Sequence, residues 1–180
     1  MTSVTGVDLS LTSTGVCRID GFGDPALVST WRLKSAGGKP DSVAERADRI
    51  VDLAERVLRC VGADDLVVIE GPSLGQSRQG GEHLRAGLWW WLVGTLNLQG
   101  RPVVEVSPAQ VKKYATGKGS AGKDEVLAAV VRRYLDVPVA GNDVADALVL
   151  AAIGRRLIGE PIEPSMPQTH VSALDKLRLP

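Results

Sequence analysis

The stretch that decides the fold is VTGVDLSLTSTGVCRID, residues 4–20, which predicts two short strands joined by a hydroxyl-rich turn. Val4, Gly6 and Asp8 share one face of the first strand, so a carboxylate stands where the alternation predicts an apolar side chain. Burying an isolated carboxylate is costly. Asp8 therefore needs a cation, a hydrogen-bond network or solvent, which the rest of the chain has to supply.

The composition is typical of one globular domain, with 180 residues, 44% apolar and 23% charged. Apolar runs such as residues 88–93 are far shorter than the roughly 18 residues that a membrane helix needs, and residues 1–10 lack a secretory signal pattern. We therefore expect a cytoplasmic protein without membrane contact. Cys17 and Cys60 are far apart and not in a CxxC motif, which indicates small core residues rather than a zinc site or a disulfide.

The charged residues are unevenly distributed, although 21 basic and 21 acidic residues give a net charge of zero. Residues 71–123 contain seven lysines and arginines but only Glu82 and Glu105 as acids. This basic middle is a candidate phosphate-binding face. Scattered solubilising charge is an equally simple interpretation of the same pattern.

A second carboxylate follows a buried strand. Residues 26–35 predict a third strand and residues 41–61 an amphipathic helix, and DLVVIE at 65–70 is then a short apolar strand that ends at Glu70. Because a helix precedes it, this strand is expected to lie parallel to an earlier one through a right-handed crossover. If that neighbour is the first strand, Asp8 and Glu70 meet at the carboxyl edge, where open α/β sheets place ligand sites.

Three consecutive tryptophans mark the helix expected at residues 82–98. Neighbouring helical residues point about 100 degrees apart, so Trp89, Trp90 and Trp91 cannot all enter one core. At least one should be exposed or pack on another subunit, and two core residues with one partly exposed residue is an alternative. The core face predicted from the apolar spacing consists of Leu84, Leu88, Trp91, Leu92 and Thr95.

Two further carboxylates open the last strong helix, at residues 142–158, for which Asn142 is the expected N-cap. Asp143 and Asp146 are three residues apart and share one face of its first turn. Simple complementation of the helix dipole is the alternative interpretation. Before this helix we expect a strand at 102–106, a helix capped by Ser107, a glycine-rich loop at 116–122 and a helix at 123–135.

Four segments together resemble the RuvC family of Holliday-junction resolvases, namely GVDLSLTSTG, VVIEGP, SPAQVKKYATGKGSAGK and GNDVADALVLA. The resemblance covers residues 4–154. It implies an α/β fold, an RNase H-like mixed five-stranded sheet flanked by helices, in a nuclease domain at residues 1–159. A C-terminal surface tail is expected at 160–180. The implied activity is structure-selective cleavage of four-way DNA junctions by paired symmetric nicks.

The resemblance places the family's catalytic carboxylates at Asp8, Glu70, Asp143 and Asp146. Two carboxylates 4 Å apart repel by roughly 4 kcal/mol at an effective dielectric of 20, so four that converge favour a divalent cation. Oxygen ligands suit Mg²⁺, with Mn²⁺ as a substitute, and two ions roughly 3.5–4 Å apart can serve phosphodiester hydrolysis. We expect Asp8 to bridge two ions, Glu70 to bind one, and Asp143 with Asp146 to bind the other.

The family's phosphate-contacting lysines match Lys112 and Lys123, and Lys118 in the intervening loop is a third candidate. One departure concerns the segment after Glu70, where better-known members carry an aromatic side chain that stacks on junction bases. This chain has no aromatic there, which leaves base unstacking and sequence preference open. The candidates for DNA contacts in that segment are Ser73, Gln76 and Arg78. The hydroxyls of the first turn could contact a phosphate or simply stabilise the turn: Ser10, Thr12, Ser13 and Thr14.

A junction is cut on two symmetric strands, whereas this chain has one acidic cluster. Resolution therefore implies a two-fold homodimer, and the helix of Trp89, Trp90 and Trp91 is the expected interface. One competing hypothesis is another RNase H-like nuclease, acting on flapped or branched DNA, RNA–DNA hybrid or structured RNA. An actin-like ATPase or sugar kinase also has an Asp-containing hairpin but needs two such lobes. A junction-binding protein without catalysis is the third alternative.

Overall fold

A five-stranded mixed sheet forms the centre of the protein, for which a computed structural model describes residues 2–21, 27–38, 41–72 and 81–180. The spatial order of the strands is β3-β2-β1-β4-β5. The first three strands are antiparallel neighbours, and β4 and β5 run parallel to β1. The strands are β1 (Val4–Asp8), β2 (Ser13–Ile19), β3 (Val28–Lys34), β4 (Leu66–Glu70) and β5 (Val103–Val106). The predicted parallel pairing of β1 with β4 is confirmed.

Helices cover both faces of the sheet. The helices are α1 (Val43–Leu58), α2 (Glu82–Leu98), α3 (Pro108–Thr116), α4 (Lys123–Arg133), α5 (Asn142–Leu157) and α6 (Gln168–Val171), followed by a 3-10 turn at Ser172–Leu174. Helix α5 lies on one face, with α3 and α4 packed against it, and α2 packs on the other face beside α1. Among the described residues, no helix combines the length and the apolar character needed to cross a membrane.

Two glycines let α5 lie unusually close to the sheet. A Cβ at Gly6 would be 2.2 Å from the Ala147 carbonyl oxygen, and one at Gly15 would be 1.9 Å from the carbonyl oxygen of Asp143. Both obstacles are helix backbone, which cannot move aside as a side chain can. The close approach brings the first turn of α5 to the carboxyl end of β1, because Gly15 pairs with Asp8 across the β1–β2 ladder.

Gly15→Ala is expected to lower the free energy of unfolding by about 3 kcal/mol or more, because the new methyl group forces α5 away from β2. Urea denaturation measures the change. Gly122→Ala is the matched control, since a Cβ at Gly122 meets no atom within 4 Å, and we expect it to lower stability by no more than about 1 kcal/mol, because alanine is a poorer N-cap of α4 than glycine. Equal stability of the two variants would show that α5 does not need this close contact.

The rotation of α2 about its axis differs from the prediction. The helix buries Leu88, Trp89, Leu92 and Leu96 against the sheet and α1, whereas Trp91 is half-exposed. Trp89 is favoured inside because its indole N–H donates a hydrogen bond to the Glu70 carbonyl oxygen at 3.0 Å. One tryptophan is therefore in the core and two are exposed. Cys17 is a buried free thiol and Cys60 is partly buried.

The helix caps agree with the sequence at α3 and disagree at α5. Ser107 caps α3 in a capping box with Gln110, as expected. The expected cap Asn142 is instead the first helical residue of α5, and Gly141 is the N-cap. Gly141 has φ +110°, a backbone conformation that glycine adopts without strain and asparagine does not readily adopt.

The segment after Gly159, expected to be a surface tail, is anchored to the helices through a buried side chain. Glu163 is only 5% exposed, and its carboxylate accepts hydrogen bonds from the hydroxyls of Tyr114 at 3.0 Å and Tyr134 at 2.5 Å. Arg156, which is partly buried, forms an ion pair with it at 2.9 Å. A buried carboxylate is stable only with such partners, so this network ties residues 160–174 to α3, α4 and α5.

Candidate active site

The sheet register and the docking of α5 bring four carboxylates to one edge. Val7 of β1 pairs with Ile69 of β4, so the next residues, Asp8 and Glu70, both lie where these parallel strands end. Asp143 and Asp146 lie in the first turns of α5, beside Gly15. The convergence expected from the sequence is therefore present in the fold.

Asp8 has the most perturbed carboxyl group of the four. Its pKa rises from 3.8 to about 8, chiefly because the group is buried, and the negative charges of Glu70, Asp146 and Asp143 contribute in that order. Lys123 acts in the opposite direction. Without a cation, Asp8 is therefore largely protonated at neutral pH.

Glu70 and Asp146 have raised pKa values for related reasons. Burial is the largest cause for Glu70, whose pKa rises to about 7, and repulsion by Asp146 adds to it. The pKa of Asp146 rises to about 6, with burial as the largest cause and a contribution from the negative charge of Asp143. Lys112 and Lys123 lower both values. Raised pKa values in a cluster of buried carboxyl groups that repel one another are typical of functional sites.

Asp143 differs from the other three because two donors from the sheet hold it. The Ser13 hydroxyl donates to its Oδ2 at 2.5 Å, and Nε of Arg32 lies 3.3 Å from the same oxygen. Among the residues described, no three His, Cys, Asp or Glu side chains lie close enough together, as they stand, to hold a metal ion. The donor set itself fits a hard divalent cation, because it consists of carboxylate oxygens whose charges repel one another.

The predicted DNA contacts are only partly brought to this edge. Lys112 on α3 and Lys123 at the start of α4 are close enough to lower the pKa values of Glu70 and Asp146. Lys118 is exposed and pairs with Glu125, with 3.6 Å between Nζ and Oε1. Three further candidates lie outside the described residues, namely Ser73, Gln76 and Arg78.

The hydroxyl-rich turn has a structural role. Thr14 Oγ1 donates to the Ser10 carbonyl oxygen at 2.8 Å and accepts from the Ser10 amide at 3.1 Å. The hydroxyls of Ser10 and Thr12 lie 3.3 Å apart within the same turn. Ser13 is the exception, since its hydroxyl reaches the acidic cluster.

Two residues beside the site were not found from the sequence. Arg32 is on the edge strand β3, opposite Gly15, and only the strand register brings it to Asp143. The indole of Trp89 contacts the backbone carbonyl of Glu70, and this contact depends on how α2 is rotated about its axis. Arg32 could have been found from the sequence only if the register of β3 against β2 were known, because that register places it opposite Gly15.

Comparisons with known proteins identify relatives for most of the chain. The family model of crossover junction endodeoxyribonuclease RuvC matches residues 90–154. The RuvC of Synechococcus sp. strain WH7803 is 30% identical over 156 residues, covering 84% of this chain and 96% of that protein. The RuvC of Synechococcus sp. strain CC9311 is 50% identical over 64 residues, covering 35% of this chain and 40% of that protein.

A solved structure confirms the fold class. Thermus thermophilus RuvC, in complex with a Holliday junction substrate, superposes with a TM-score of 0.64 at 20% sequence identity. The match covers 89% of this chain and 98% of that one. The RNase H-like mixed sheet expected from the sequence is therefore correct.

Proposed function

Because this chain belongs to the RuvC family of crossover junction endodeoxyribonucleases, we propose that it resolves four-way DNA junctions by paired symmetric nicks. The observation that carries the proposal is the convergence of the acidic cluster at one sheet edge, with Lys112 and Lys123 beside it. Carboxylates that repel one another favour binding of a cation between them, and the adjacent lysines favour binding of a phosphate backbone.

The residues that would hold the metal are Asp8, Glu70, Asp143 and Asp146, and we propose two Mg²⁺ ions, with Mn²⁺ as a substitute. Bound there, the ions would polarise the scissile phosphate and lower the pKa of the attacking water. Asp8 would lie between the two ions, with Glu70 on one side and the α5 pair on the other. Ser13 and Arg32 would orient Asp143 through its Oδ2.

The lysines would hold the DNA strand at the site. Lys112 and Lys123 already offset the negative charge of Glu70 and Asp146, so the acidic edge can accept a phosphodiester without unbalanced repulsion. Lys118 would contact a phosphate farther along the strand after releasing its exposed pair with Glu125, which costs little.

Cutting two strands symmetrically requires two copies of this site, and we propose a homodimer formed through α2. Trp90 is 65% exposed, Trp91 is 50% exposed, and Leu98 is exposed on the same helix. Large exposed aromatic side chains are enriched in protein interfaces and unusual on free surfaces. The cytoplasmic location stays a prediction.

Cleavage of a panel of substrates in Mg²⁺ tests the proposed function. We expect paired nicks at symmetry-related positions of a four-way junction and little cutting of three-way, flapped or duplex DNA and of RNA–DNA hybrid. Preferential cutting of the hybrid or the flap would favour another RNase H-like activity. The described residues form one sheet, so the two-lobed ATPase alternative has no support.

A further inference from the structure

The indole of Trp89 holds the peptide group that follows Glu70. Its Nε1 donates to the Glu70 carbonyl oxygen at 3.0 Å, and the amide of Gly71 in the same peptide group donates to the Val106 carbonyl oxygen at 2.9 Å. Glu70 is the last residue of β4, so regular strand pairing ends there. Trp89 therefore supplies, from α2, the restraint that a continuing strand would otherwise give.

Trp89 is in turn in contact with the surface through Trp90. The two rings meet edge to face, with centroids 4.7 Å apart and an interplanar angle of 86°. Trp89 is 7% exposed, whereas Trp90 is largely exposed. Whatever packs on Trp90 thus acts on a ring that is one contact away from the Glu70 backbone.

The exposed side of α2 has a shape that can pair with itself. Its residues recur at helical spacing along one face, and we call them the α2 stripe: Gly87, Trp90, Trp91, Gly94 and Leu98. A Cβ at Gly94 would meet no atom within 4 Å, and one at Gly87 would meet only Ile50 Cδ1, at 3.6 Å. In a two-fold dimer, the Trp90 and Trp91 rings of one copy can pack into the space left by Gly87 and Gly94 of the other.

We propose that pairing of the α2 stripes of two copies fixes Glu70 through Trp90 and Trp89, so that assembly of the dimer strengthens metal binding. Trp89 is then a positioning residue, because it acts only through the backbone of Glu70. The inference rests on the proposed metal site and homodimer. Its physical basis is that a ligand held in place before the ion arrives loses less conformational freedom on binding.

Mn²⁺ binding, measured by calorimetry without DNA, tests the role of Trp89. Trp89→Phe keeps an aromatic ring and removes the N–H, and we expect a Kd about three- to tenfold higher, as for the loss of one hydrogen bond. Trp31→Phe is the matched control, because Trp31 packs in the same apolar cluster as Trp89, and its Kd should stay within about twofold of the wild type. Equal Kd values for the two variants would overturn the proposal.

Cleavage kinetics separate positioning from a general structural role. In Trp89→Phe, the half-saturating Mg²⁺ concentration should rise by the same factor as the Kd, while the rate at saturating Mg²⁺ stays within about twofold. A loss of the saturated rate with unchanged half-saturation would count against positioning.

The coupling to the dimer has its own measurement. Trp91→Ala should weaken the dimer in sedimentation velocity, and both this variant and diluted wild type should bind Mn²⁺ about three- to tenfold more weakly when monomeric. The same Mn²⁺ Kd in the monomer and the dimer would overturn the proposed coupling. If the protein does not bind Mn²⁺ at all, both the coupling and the proposed metal site are wrong. Intact Mn²⁺ binding without junction cleavage would instead refute only the proposed function.

Discussion

Asp146→Asn is expected to lower Mg²⁺-dependent junction cleavage by about 10³-fold or more, while junction affinity stays within about threefold of the wild type. The substitution keeps the size of the side chain but removes a charge from the acidic cluster. In the proposed mechanism cleavage needs that charge, whereas DNA binding would rest on cations such as Lys112 and Lys123. Single-turnover cleavage and a gel-shift titration in Ca²⁺ measure the two effects separately.

Asp136→Asn is the matched control for this experiment, because Asp136 is exposed in the connection between α4 and α5. It should cut at the wild-type rate. Equal cutting by the Asp146 and Asp136 variants would show that the acidic cluster is not the metal site. A junction-binding protein without catalysis at this cluster would then be the remaining interpretation. Loss of both binding and cutting in Asp146→Asn alone would assign Asp146 a structural role instead.

The metal-free protein is expected to become less stable as the pH rises from about 4 to about 8. Asp8, Glu70 and Asp146 have pKa values of about 8, 7 and 6 in the folded state, above their ordinary values of 3.8, 4.5 and 3.8. In this interval the folded protein binds more protons than the unfolded chain. The free energy of unfolding therefore falls, by about 3 kcal/mol or more, since one pKa unit corresponds to about 1.4 kcal/mol.

Urea denaturation in EDTA at about pH 5 and about pH 8 measures this loss, and Asp8→Asn should abolish about half of it, because Glu70 and Asp146 keep their raised pKa values. At the higher pH the variant should be more stable than the wild type, because it removes the carboxylate whose ionisation costs most. Added Mg²⁺ should stabilise the wild type chiefly at the higher pH, where the carboxylates are free to bind it. Identical pH profiles for the two proteins would contradict the assigned electrostatics.

The sequence predicts the elements well wherever one period dominates. The alternation in β1, the apolar run of β4 and the 3.6-residue period of α1 identify these elements to within three residues at each end. The acidic cluster could be predicted because an acid in an apolar strand pattern is conspicuous. Its convergence then follows from the parallel pairing of β1 with β4.

The features that the sequence did not predict depend on contacts between segments that are far apart in the chain. Three identical side chains in a row fit several rotations of α2, and the choice of Trp89 was made by a hydrogen-bond acceptor in β4. Arg32 reaches Asp143 only through the register of β3. The proline-rich composition after Gly159 gave no sign that Glu163 is buried, because its hydroxyl partners are Tyr114 and Tyr134, far earlier in the chain.

The position of α5 in the chain has a consequence for synthesis. This helix covers β1, β2 and β4, and Gly6 and Gly15 are shaped to receive it, yet the ribosome makes it after all five strands. The growing chain therefore carries an uncovered apolar sheet face until α5 emerges. The acidic edge is also incomplete until then, so the proposed active site can form only late in the synthesis of the chain.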